Sequence, residues 1–272
     1  MSRCMSEFAA EGATPRIATR IPRILHVIWV GDETKRPDAA IRTWRDRHPD
    51  WTFMLWGNAE LDEVPWRSRR QMEIYRAARR WEGVADLMRY EILCRHGGVY
   101  VDADSECVRP LDDWLLTHRL FAVWESETHR PGLVANGFIG ATPGHPVLRA
   151  LTRKMATMHR PMRRRSLWRS AGPFLFKKAI RLYRAARRDN LWVELRPPFI
   201  GEAVRPWQTV GTIAFTRELL RASPGDVTIL PSMLFLPKHY LDRTERTGGL
   251  IYARHEWRTG NHDRDVALAG PP

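Results

Sequence analysis

Cysteine is scarce in this chain. Only Cys4, Cys94 and Cys107 occur, an odd set without metal-type spacing. That argues against a disulfide framework and fits a reducing compartment. Long hydrophobic runs are lacking too. No stretch approaches the roughly 18 apolar residues of a membrane span. The opening MSRCMSEFAAEGATPR has no continuous apolar core of signal-peptide length. The expected location is therefore the cytoplasm. There is no internal repeat and no low-complexity linker, which leaves one α/β domain with a helical excursion as the expected organisation.

Acidic charge is in deficit. Forty-four basic side chains face 31 acidic ones, a net charge of +13. Such a surface favours polyanions: nucleic acid, anionic lipid or phosphorylated substrates. The excess concentrates between Arg160 and Arg188, in RPMRRRSLWRS and KKAIRLYRAARR. In the second piece Phe176, Ile180 and Tyr183 are spaced for one apolar helix face. Such a helix lies on an anionic membrane surface, grips an anionic acceptor, or packs as an ordinary surface helix.

At 272 residues and 43% hydrophobic content, the chain is globular and long enough for one substantial domain. Residues 1–18 read as a loose tail, 19–262 as the domain and 263–272 as a second tail. The basic helical excursion spans about 147–195. IPRILHVIWV, from Ile21 to Val30, reads as a first buried strand. Asp38 to Arg47 follows as an amphipathic helix, and Trp51 to Trp56 as a second strand. Strand, helix, strand at this spacing signals a βαβ unit and a parallel sheet. Glu60 to Trp81 is expected to be helical. Further strands are expected at Leu120–Trp124, Asn136–Gly140, Val227–Leu230, Leu234–Pro237 and Ile251–Trp257, and a helix at Pro146–Met158.

The stretch from Gly83 to Glu106, GVADLMRYEILCRHGGVYVDADSE, carries the chemistry. Leu87, Tyr90, Ile92, Leu93 and Cys94 give an apolar face at helical spacing. Asp86 and Arg89 are three apart and share a face. Gly97 suits the left-handed position that ends a helix. Val99, Tyr100 and Val101 then read as a short buried strand. Asp102 and Asp104 leave its end, where open α/β sheets place their ligands. Two hard carboxylate ligands there suit a divalent metal holding a diphosphate.

Five segments together resemble the DXD sugar-binding glycosyltransferases of family 32 and, more distantly, the catalytic domains of clostridial glucosylating toxins. They are IPRILHVIWVG (21–31), ADLMRYEIL (85–93), GGVYVDAD (97–104), NGFIGATPGHP (136–146) and ARHEW (253–257). The resemblance implies a GT-A fold: an α/β, Rossmann-like, mainly parallel sheet with the nucleotide across its strand ends. It also implies a nucleotide-sugar donor, Mn²⁺ or Mg²⁺, and retention at the anomeric carbon. Carried over by position, Trp29 stacks on the base. Asp86 and Arg89 meet the donor sugar and the diphosphate side. Tyr100 precedes the metal motif. Asp102 reaches ribose or metal, and Asp104 ligates the metal. His255 and Glu256 fall where the family completes the metal shell, and here the chain departs from the pattern, so which of the two binds is open. Trp257 closes over the phosphates, Asn136 lies near sugar or acceptor, and Ala171-Gly172-Pro173 is a structural turn.

The expected enzyme is thus a metal-dependent retaining glycosyltransferase with a UDP- or GDP-sugar donor and a glycan, lipid or small-molecule acceptor. Three rivals remain at this stage. A toxin-like transferase acting on protein shares every motif above. A haloacid-dehalogenase phosphatase wants Thr or Val where Glu106 stands. A basic nucleic-acid-binding protein lacks a helix-turn-helix, zinc pattern or aromatic stripe to support it.

Overall fold

The computed structural model describes residues 20–157, 210–223, 225–242 and 244–256. The described residues open with β1 (Ile24–Ile28), α1 (Asp38–Asp46) and β2 (Thr52–Trp56). β1 and β2 pair in parallel, Ile24 opposite Thr52, as the βαβ reading requires. The expected helical stretch from Glu60 is cut in pieces: α2 (Asn58–Glu63), α3 (Arg69–Ala77) and α4 (Trp81–His96). Pro65 lies in the first break, where it disfavours helical backbone in the residue before it.

Beyond α4 come β3 (Gly98–Val101), β4 (Ser105–Cys107), β5 (Leu120–Ser126) and β6 (Arg130–Ala141). α5 (Pro146–Thr157), α6 (Thr212–Leu219), β7 (Thr228–Leu230) and β8 (Ala253–His255) complete the described α-helices and β-strands. The main sheet has the order β2-β1-β3-β6-β5-β7. β6 is antiparallel to both neighbours, while β1 pairs in parallel with β2 and β3, and β5 with β7. The result is a mixed α/β sheet, mainly parallel, of the kind expected for a GT-A fold. A separate two-stranded ribbon pairs β4 with β8, Ser105 opposite His255.

One expected strand is absent, and another is present but longer than expected. Leu234–Pro237 is not a strand: a short helical turn covers Ser232–Leu234, and Pro231 and Pro237 flank the segment. β6 begins at Arg130, not Asn136. Its early residues include Pro131 and Gly132, which obscure a strand in sequence. The basic stretch at 158–195 and the Ala171-Gly172-Pro173 turn lie outside the described residues.

The sheet separates two apolar layers. One joins Tyr75, Leu87, Met88, Ile92, Leu93, Leu148 and Phe215, from α3, α4, α5 and α6. The other joins Trp44, Phe121, Phe138, Phe235 and Tyr252. α4 runs through the first layer with Gly83 to Leu93 largely buried on all sides, so its apolar content is not confined to one stripe. Gly83 lets α3 come close: a Cβ there would meet the Tyr75 ring at 2.6 Å.

Gly97 and Gly98 end α4 with φ of 63° and 96°, backbone that L side chains rarely adopt. His26 locks this turn to the sheet. Its Nδ1 accepts from Trp56 Nε1 at 3.2 Å, so Nε2–H donates to Gly97 O at 2.8 Å. Burial pushes its pKa down to about 4. On the opposite face, fully buried Trp44 donates from Nε1 to Ser105 O at 2.9 Å. β3 is therefore held just before its start by His26 and just past its end by Trp44. Among the described residues, no helix is long and apolar enough to cross a membrane.

Candidate active site

β3 ends at Val101, and Asp102 N–H donates back to Gly137 O on β6 at 3.0 Å. Asp102 and Asp104 therefore stand where the central strand leaves the sheet. The ribbon brings in a third group from far along the chain. β8 sets His255 beside them, with Nε2 at 3.1 Å from Asp102 Oδ2 and 3.3 Å from Asp104 Oδ1. Ligand atoms of Asp102, Asp104 and His255 all lie within 4.8 Å of one another. Two carboxylates and an imidazole on that scale fit a hard divalent cation such as Mn²⁺ or Mg²⁺.

Glu256 is placed differently. Its side chain is exposed, its backbone N–H donates to Asp104 O at 3.1 Å, and it is not among the three convergent ligands. Trp257 lies outside the described residues. Trp29 sits just beyond β1, half-buried, with Nε1 donating to Asp32 O at 2.9 Å.

α4 supplies the other wall. Asp86 and Arg89 are each 5% exposed, so their pairing is no surface ion pair. Arg89 Nη2 lies 3.1 Å from Asp86 Oδ1 and 3.3 Å from Asp102 Oδ1, bridging helix and strand. Its guanidinium stacks over Tyr100, 4.4 Å from the ring centre, and Nη1 donates to Asn136 O. Asn136 Nδ2 donates to Asp86 Oδ1 at 2.7 Å. Asn136 thus holds the Asp86–Arg89 pair in place.

Burial raises Asp86 to about pKa 7, with the Asp102 charge adding to it against the pull of Arg89 and Asn136. Asp102 goes the other way. Burial opposes its ionisation, but Arg89 and hydrogen bonds from His255 and Tyr100 outweigh it and hold the carboxyl well below the ordinary range. Tyr100 donates to Asp102 Oδ1 at 2.8 Å, and burial raises its phenol so that it stays protonated. For His255 burial opposes protonation, yet Asp104 and Asp102 prevail and raise its pKa. Two carboxyls at one site are thus pushed apart in protonation.

Three residues of this site escape a reading of sequence. Tyr90, taken above only as apolar lining, sits one turn beyond Asp86, accepts from Asn136 Nδ2 at 3.3 Å and donates to Gly211 O at 3.1 Å. Gly211 crowds Asp86: a Cβ there would fall 2.4 Å from Oδ2. Gly137 does the same to Asp102, at 2.3 Å from its Oδ2. The i, i+4 spacing from Asp86 was the available signal for Tyr90. Neither glycine has one, because the contact is made across the fold.

Residues 34–121 match the family model described as the glycosyltransferase sugar-binding region containing DXD motif. The stretch of similarity is thus to a DXD-type glycosyltransferase sugar-binding region. Asp86, Arg89, Asp102 and Asp104 fall inside that region, whereas Asn136 and His255 join it from later elements. Inositol phosphoceramide mannosyltransferase 3 of Schizosaccharomyces pombe is 32% identical over 142 residues, 50% of this chain and 37% of that protein. A mannosyl phosphorylinositol ceramide synthase of Saccharomyces cerevisiae is 32% identical over 134 residues, 46% of this chain and 33% of that protein. The match thus spans less than half the length of these curated relatives. The solved PaToxG glycosyltransferase aligns with 71% of this chain and 86% of its own, at a TM-score of 0.42 and 14% identity.

Proposed function

We propose that this chain is a divalent-metal-dependent, retaining glycosyltransferase that moves a sugar from a UDP- or GDP-sugar. The observation that carries the reading is the convergence of Asp102, Asp104 and His255 beside the buried Asp86–Arg89 pair. A divalent cation held there supplies Lewis-acid stabilisation of the departing diphosphate. Mn²⁺ is the first choice, because the set includes one imidazole.

Arg89 opposes phosphate charge and retains a buried Nε–H without a partner, a donor left for the substrate. Asp86, fixed by Asn136, accepts hydroxyls of the transferred sugar. Trp29 offers the base a flat apolar face. Asp86 is already bonded by Arg89 and Asn136, which disfavours it as a double-displacement nucleophile. Retention then follows a same-face route in which the leaving phosphate oxygen takes the acceptor's proton. The relatives' names favour mannose as the sugar and an inositol-phosphoceramide-like lipid or a glycan as the acceptor. A single domain over 19–262, a cytoplasmic location and peripheral contact with an anionic membrane belong to the same reading.

The test is a donor screen. Purified chain is mixed with UDP- and GDP-sugars, with and without Mn²⁺, and nucleoside diphosphate release is followed. Metal-dependent release from one donor class supports the reading and names the nucleotide. If no nucleotide sugar is cleaved or bound with any divalent metal, the reading falls.

A further inference from the structure

Glu82 occupies the first turn of α4, one turn before Asp86 and on its face of the helix. Its neighbour Trp81 packs on the loop after β1, where a Cβ on Gly31 would come within 2.9 Å of the Trp81 ring. Along α4 Glu82, half-buried, thus lies between Trp81, which packs on the loop after β1, and Asp86. Its Oε2 is closed off from solvent and accepts no hydrogen bond.

The other acids of this wall are answered. Asp86 has Arg89 and Asn136; Asp102 has Arg89, Tyr100 and His255. Glu82 has instead a like charge nearby, since it is among the groups that oppose ionisation of Asp86. A buried acceptor left empty is unfavourable, and a bound ligand is one of the few things that completes such a group in a native fold. The missing partner is a neutral or positive hydrogen-bond donor. Between a base on Trp29 and a sugar on Asp86, the part of a nucleotide sugar that carries free hydroxyls is the ribose. Acidic residues take ribose hydroxyls in other α/β nucleotide folds for the same chemical reason.

We infer that Glu82 accepts a hydrogen bond from a ribose hydroxyl of the donor nucleotide and makes the site selective for ribonucleotides. This rests on the nucleotide-sugar reading above. The experiment is calorimetry on the full chain with Mn²⁺ and GDP, UDP and their 2′-deoxy and 3′-deoxy analogues, for wild type, Glu82→Gln and Glu82→Ala. The expected result is a ribose preference of about tenfold in wild type over at least one deoxy analogue, lost in both variants. Affinity for that analogue stays unchanged by either substitution. Without nucleotide, both variants should melt no lower than wild type, because Glu82→Ala removes the unanswered carboxylate and Glu82→Gln removes its charge.

A ribose preference that survives in both variants overturns the assignment, as does an equal loss for ribo- and deoxynucleotides. Lower melting of both variants would also overturn it, by showing a structural partner. A wild type that binds none of the nucleotides overturns the nucleotide-sugar reading together with it. A wild type that binds them without ribose preference overturns the Glu82 assignment alone.

Discussion

α4 carries two buried carboxylates that have opposite fates. Glu91 is fully answered: Oε2 accepts from Arg67 N–H and Oε1 from Ser68 N–H, each at 2.8 Å, and Arg95 Nη2 stands 3.1 Å from Oε2. It caps the start of α3 and pins that helix to α4. Asp86 shares its one cation with Asp102, faces further negative charge from Glu82, and is raised to about pKa 7. The same residue class on the same helix is scaffold where every oxygen has its donor and candidate site where charges compete. Sequence spacing alone does not separate the two, because both acids have an arginine three or four positions on.

The comparison breaks most visibly at the scaffold end. Glu91→Ala leaves two buried N–H groups and Arg95 without their acceptor. Unfolding free energy should fall by about 3 kcal/mol, read from urea midpoints. Any loss of transfer activity should follow the unfolded fraction. Asp86→Asn should do the reverse. Stability should stay within about 1 kcal/mol, because Arg89 keeps Asp102. Donor turnover, as kcat/KM, should drop about a hundredfold. Full activity in that variant would remove Asp86 from the donor site.

A smaller effect comes from His26, a buried group outside the site. Its folded pKa of about 4 lies below the ordinary 6.5, so the unfolded chain takes up the proton first as pH falls. The contribution is complete above pH 6.5 and is lost towards pH 4. Unfolding free energy should therefore drop by about 2 kcal/mol between pH 7 and pH 5 from this group. Nuclear magnetic resonance titration of the His26 ring checks it directly: protonation near pH 6.5 in the folded chain would refute the burial argument.

Much of this architecture is legible in the residues. The Gly97-Gly98 break, the apolar Val99–Val101 run and the following Asp102 and Asp104 mark helix end, strand and strand exit, because each depends on local chemistry. The parallel pairing of β1 and β2 follows from strand–helix–strand spacing. The β4–β8 ribbon was half hidden: β8 reads as a strand, but three-residue β4 exists only through pairing with a segment far along the chain. That pairing is also what turns His255, and not Glu256, towards the two aspartates. Period-2 alternation sends successive side chains to opposite faces, so one of the two turns inward and the other to solvent. The expected strand at Leu234–Pro237 failed for a related reason. Its apolar residues are buried by the fold as a whole, and prolines at both ends favour a turn.

The most direct test of the central claim is Mn²⁺ binding itself. Electron paramagnetic resonance would count free Mn²⁺ in the presence of a nucleoside diphosphate, for wild type, Asp104→Asn and His255→Ala. The account predicts a single bound Mn²⁺ per wild-type chain and strongly weakened binding in both variants, with their melting temperatures near wild type. Unchanged Mn²⁺ affinity in both variants would contradict it, and the three convergent side chains would then be a buried ion-pair network and not a metal site.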